Sequence, residues 1–149
     1  MVMKAPRPLH AGASLAILYA LLATPAVRSW LEATMSGHML VQIPLLAAIG
    51  FIAGRLLPER LQARLLDGAG GAIPCVTMAI FVSSYWMLPR ALAAALTQTL
   101  AEVAKFASLP LLVGLPLSLA WRRLSLIGRG FVWTNFISML AVIGWLYFA

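Results

Sequence analysis

The sequence predicts an all-α fold, a polytopic bundle of about five membrane-spanning helices, and three observations carry that reading. Of the 149 residues, 62% are hydrophobic and 10% charged, and the mean hydropathy is +0.95. A soluble domain has about 45–50% apolar and about 25% charged residues. The apolar residues fall into five runs near the length of about 20 residues that a spanning helix needs. Strand-type alternation is absent, which argues against a membrane β-barrel. A disulfide-knit protein is excluded by the single cysteine, Cys75, which reads as a small buried hydrophobe.

The chain is expected to form one membrane domain over 1–149. Its first span covers about 10–26, between Arg7 and Arg28. The same stretch, with Lys4 and Arg7 before it and Ala23-Thr24-Pro25-Ala26 after it, also fits a secretory signal peptide. Retention as a span is the expectation. The second span runs from 38 to 54, closed by Arg55 and Pro58, and the third from 69 to 88, ending at Tyr85-Trp86 and Pro89. The fourth covers 102–120, followed by Trp121-Arg122-Arg123, and the fifth 131–148. Trp30, Tyr85, Trp86, Trp121, Trp145 and Tyr147 fall near span ends, where interfacial aromatic residues belong. Pro44, Pro74, Pro110 and Pro116 lie within spans and can bend them. Gly50 and Gly54 form a GxxxG spacing, and Gly68, Gly70 and Gly71 permit close backbone approach, both signs of helix packing.

The net charge of +7 comes from 11 Lys and Arg against four Asp and Glu. In a soluble protein this balance points to nucleic acid. Here the cations sit singly or in pairs between apolar runs, so no nucleic-acid partner is expected. Sorted by connection, Lys4, Arg7, Arg55, Arg60, Arg64, Arg122, Arg123 and Arg129 lie on one side, and only Arg28 and Arg90 on the other. Positive residues concentrate on the cytoplasmic face. The N-terminus is therefore expected in the cytoplasm and the C-terminus in the periplasm, in a bacterial inner membrane. Glu59 with Arg55, and Arg64 with Asp67, read as solvated charges of a cytoplasmic loop.

Polar residues gather toward the opposite, outer face. Met35, His38 and Gln42 are spaced i, i+3, i+7 and share a helix face. Met87 and Arg90 leave the third span on that side, and Glu102 and Lys105 open the fourth. Glu102 and Lys105, three residues apart, can pair and so lower the cost of either below the head groups. Imidazole with thioethers is a soft donor set that suits Cu(I), whereas zinc would call for more His or Cys. His38, Met35, Met39 and Met87 are the candidate ligands. Asn135 reads as an inter-helix hydrogen-bonding residue.

No enzyme is expected. Phosphate-cradling glycine loops, paired carboxylates and a nucleophile triad are all missing, and four acids with two histidines leave few acid–base groups. His10 and His38 fall on opposite sides of the membrane and cannot clamp one haem. A transporter or channel would call for deep ionisable groups or inverted repeats, which the sequence lacks.

The outer-face pieces, in this order, resemble the CtaG family of membrane proteins associated with cytochrome c oxidase assembly. That family carries a His-Met-x-x-His motif soon followed by Pro and Leu-Leu. The present stretch is His38-Met39-Leu40-Val41-Gln42, then Pro44-Leu45-Leu46. A Trp-His-x-Pro motif before an Ala-rich connection is matched by Trp86-Met87-Leu88-Pro89 and Ala91 through Leu96. A further helix running through Gly to a Trp-containing end is matched from Glu102 through Gly114 to Trp121. The resemblance spans roughly residues 35–125 of a chain smaller than the family's members. Gln42 and Met87 stand where the family has histidines, and His38 alone of the expected imidazoles is present. The family is implicated in copper insertion into the oxidase. The resemblance thus implies a respiratory assembly role, with copper handling if thioethers replace the lost imidazoles. The competing expectation is a small accessory subunit that packs against a larger membrane complex without metal.

Overall fold

The computed structural model describes residues 8–34 and 38–148, and every regular element among them is helical. Helix α1 spans Pro8–Ala23 and α2 spans Pro25–Glu32. A π-helical turn, His38–Gln42, leads into α3, Ile43–Leu56. Then follow α4, Glu59–Gly68, α5, Ala72–Met87, and α6, Pro89–Thr97. Helix α7, Thr99–Ser108, a second π segment, Leu109–Gly114, and α8, Leu115–Trp121, form one continuous rod. The last helix, α9, is Leu126–Phe148.

Two helices are long and apolar enough to cross a membrane, Thr99–Trp121 and Leu126–Leu146. At about 1.5 Å per residue each exceeds the roughly 30 Å of hydrocarbon. The number rises to four if two bent pairs each count as a broken span: α1 with α2, bent by 65°, and Leu40–Leu56 with α4, bent by 118°. Helix α5 is apolar but has 16 residues, near 24 Å.

The breaks have a local cause. Thr24, Leu57 and Leu88 all precede proline and have extended backbones, with ψ of 139°, 146° and 132°. The following pyrrolidine ring disfavours the helical region for the residue before it. The first expected span, 10–26, therefore stops at Ala23, and the segment with Arg28 is the amphipathic helix α2 rather than a connection. The stretch after Arg55 is likewise no loop but α4. The fifth helix starts five residues before the expected 131, because the Ser125 hydroxyl accepts a hydrogen bond from Gly128 N–H at 3.1 Å and caps its first turn.

The prolines expected within spans divide into two kinds. Pro74 sits in the first turn of α5, where no donor is missed, whereas Pro44 follows directly on the π turn and frees a carbonyl of that turn. Pro110 lies mid-rod, lacks an N–H, and so frees the carbonyl of Phe106 four residues back. The Tyr19 hydroxyl of α1 donates to that oxygen at 2.9 Å. The ladder widens into the π segment at this point instead of kinking.

The centre of the bundle is the crossing of α3 with the rod. A Cβ on Gly50 would overlap the backbone of Pro110, and one on Gly114 would overlap the backbone at Ala47 and Phe51. Glycine on both partners is what allows this approach, so the GxxxG expectation is met with the rod as the partner helix. Gly70 and Gly71, with φ of 85° and 104°, turn the chain from α4 into α5 in a conformation that side chains resist. One core layer joins Leu22, Leu31, Leu46, Ala79, Phe106 and Val113, and a second joins Leu66, Cys75, Val76, Leu119 and Val132. Cys75 is a buried free thiol, as expected. Helix α9 stands apart: 6% of its most apolar stretch is buried, against 50% for the rod.

Candidate functional site

The polar residues that converge do so where α2, the first π turn and α7 meet. Lys105, on the second turn of α7, is wholly buried. Its Nζ donates to Glu32 Oε1 at 3.1 Å and to Gln42 Oε1 at 3.2 Å. Glu102, one turn earlier, is ion-paired with Arg28, whose Nε also lies 3.7 Å from Glu32 Oε2. Two cations and two anions thus form an alternating chain, Glu102, Arg28, Glu32, Lys105, capped by the Gln42 amide. A buried ammonium is costly unless its donors are taken up. Here the positive charge is matched and the group is neutral as a whole.

Local sequence positions these groups. Arg28 and Glu32 are i, i+4 on α2, and Glu102 and Lys105 are i, i+3 on α7, so each helix presents one cation and one anion on one face. The break at Thr24–Pro25 swings α2 toward α7. The π turn presents Gln42 between them, with its Nε2 unpartnered among the described residues. Nearby, the Trp86 indole N–H donates to Ser108 Oγ at 2.8 Å and pins α5 to α7.

The expected outer cluster is therefore brought together in part. Gln42, Glu102 and Lys105 share the site. The expected Glu102–Lys105 pair is replaced by cross-helix pairs, because Arg28 and Glu32 from α2 interpose. Arg90 is exposed and outside the network. Of the candidate ligands, Met87 is buried on α5, 7% exposed, while Met35 and the side chains of His38 and Met39 lie outside the described residues. Among the described residues no three His, Cys, Asp or Glu side chains gather as a metal would need. Glu32 escaped the sequence reading and Arg28 entered it only as an outer-side connection cation, though their i, i+4 spacing was a visible signal.

At the far end of the rod, about 25 Å away by its rise per residue, a second polar group forms. Arg122 pairs with Glu59 at 2.9 Å and Arg123 with Asp67 at 3.3 Å. The expected partners Arg55 and Arg64 are displaced because α4 packs back on α8 through Leu66 and turns its acids toward it. Arg129 donates from Nε and Nη2 to the Trp121 carbonyl at 3.2 and 3.0 Å and lies over the Trp121 ring. Trp86, expected at an interface, is in the core at 5% exposure, whereas Trp30 and Trp145 are exposed as interfacial anchors would be. Asn135 donates to Met139 Sδ of its own helix at 3.5 Å and not across helices. No family model matches the chain, and comparisons with curated proteins and with solved structures find no match either.

Proposed function

We propose that the chain is a non-enzymatic, multi-pass protein of the bacterial inner membrane that acts by packing against a larger membrane complex. A respiratory assembly, cytochrome c oxidase above all, is the partner implied by the resemblance of residues 35–125 to the CtaG family. The observation that carries the docking role is α9. It is one of two helices long enough to span a membrane, yet it is almost unburied, and Gly130, Thr134, Ser138 and Ala141 run along its exposed side. Small residues of this kind let helices approach closely in lipid. The outer polar residues support the same reading, since Glu102 and Lys105 are consumed by bonds within the chain. Purification in a mild detergent tests it. A second membrane protein in fixed ratio is expected, and a homogeneous monomer would contradict it.

In this proposal the chain crosses five times, with α1, the α3 segment, α5, the rod and α9 as spans. The loop cations put the N-terminus in the cytoplasm and the C-terminus in the periplasm. The two polar ends of the rod support that arrangement, since Arg28 and Glu102 fall together at one and Arg122, Arg123 and α4 at the other. A C-terminal reporter enzyme active only in the periplasm is expected to be active, and a silent fusion would reverse the orientation.

Copper handling is the second reading, favoured by the π turn that carries His38, Met39 and Gln42. Such turns recur at functional sites. Cu(I) would be held by His38 with thioethers of Met35, Met39 and Met87. Purified protein is then expected to take up about one Cu(I) against a mild chelator and to lose it in His38→Ala. Wild-type protein that takes up none would end this reading without touching the docking role.

A further inference from the structure

Three arginines near the α3–α4 bend have no acidic partner among the described residues. Arg55, in the last turn of α3, and Arg60 and Arg64 of α4 are exposed, and none makes an ion pair among the described residues. The two acids of α4 are directed elsewhere, Glu59 to Arg122 and Asp67 to Arg123. Positive charge is thus left uncompensated on one face of a helix whose own carboxylates could have balanced it.

The rest of α4 shows what such a face meets. At about 100° per residue, Arg60 and Arg64 form one stripe and Leu61 and Leu65 the neighbouring stripe. Leu61 and Leu65 are 42% and 39% exposed. On the opposite side Leu66, 3% exposed, anchors the helix to Leu119 and Ala120 of α8. The bend of 118° takes α4 out of line with α3, as a helix lying along a surface must be. A cationic stripe beside an apolar stripe on a docked helix is the arrangement of an interfacial helix.

We propose that α4 lies in the membrane surface and binds anionic phospholipid. Arg60 and Arg64, with Arg55, hold the phosphate-bearing head groups, and Leu61 and Leu65 enter the acyl-chain boundary. The exposed leucines commit the site to lipid rather than to a free anion, since a soluble phosphate would leave them in water.

The test uses the full chain in nanodiscs of phosphatidylcholine or of phosphatidylcholine with phosphatidylglycerol, with bound lipid counted after extraction into mild detergent. Phosphatidylglycerol is expected to be enriched around the protein. Each arginine removed should lower that preference roughly fivefold, the equivalent of about 1 kcal/mol per cation at a lipid surface. The Arg60→Gln/Arg64→Gln variant should therefore lose most of it, while Arg60→Lys/Arg64→Lys should retain it. Leu61→Ser/Leu65→Ser should weaken it with all arginines in place. Unchanged enrichment in the glutamine variant would overturn the proposal. So would displacement of the lipid by millimolar inorganic phosphate, which would mark a free-anion site. If the glutamine variant is not recovered folded, the lysine and serine variants decide between the same outcomes.

Discussion

Lys105 has no access to solvent and holds Glu32 and Gln42 at once. Removing its charge alone would leave Glu32 without that bond in a place where water reaches it poorly. Breaking a buried pair from one side costs about 3–5 kcal/mol, and the 14% exposure of the Glu32 side chain puts this case at the lower end. Lys105→Met is therefore expected to lose about 3 kcal/mol in detergent unfolding. Lys105→Met with Glu32→Gln should recover much of that loss, since replacing both members of such a pair is often neutral. Equal losses in single and double variants would mean that the network does not couple α2 to α7. At this scale the sequence was half legible. Gln42, Glu102 and Lys105 declare themselves as polar residues in apolar surroundings. Arg28 did not, because a cation between apolar runs reads as a topology signal. Only the turn at Pro25 makes it a partner of Glu102.

Among the elements, α3 and the rod define the bundle, and their crossing depends on glycine at Gly50 and Gly114. The added methyl of Gly50→Ala would meet the backbone of Pro110, which cannot rotate away as a side chain could. Overpacking of this kind costs about 1–3 kcal/mol. Gly50→Ala should destabilise measurably, and Gly50→Val more so, while Gly12→Ala, where nothing lies within 4 Å of the new methyl, should not destabilise. Comparable melting temperatures for Gly50→Val and the parent would show that the helices are not in this contact. The positions of α3, α5 and the rod follow from hydropathy alone, to within a few residues. Helices α2 and α4 do not, since a half-polar amphipathic helix averages to the hydropathy of a loop. The proline breaks are visible in sequence, but their angles are set by what each helix packs on, as Leu31 and Leu66 show. The early start of α9 was encoded in Ser125 and obscured by Gly128, Arg129 and Gly130.

At the scale of the molecule, the two ends of the bundle differ in chemistry. One end holds an alternating network of four charges around the buried Lys105, and the other carries exposed pairs and uncompensated arginines. This asymmetry agrees with the eight-to-two distribution of loop cations that the sequence displays. It also leaves α9 as the least committed part of the structure, a spanning-length helix almost wholly uncovered by its own chain. The most direct test of the docking role is a photo-crosslinking residue in place of Ser138, activated in intact membranes. A discrete adduct with a protein of a larger membrane complex is expected, absent when the same residue replaces the buried Leu46. Adducts with lipid alone from every exposed position along α9 would contradict the account.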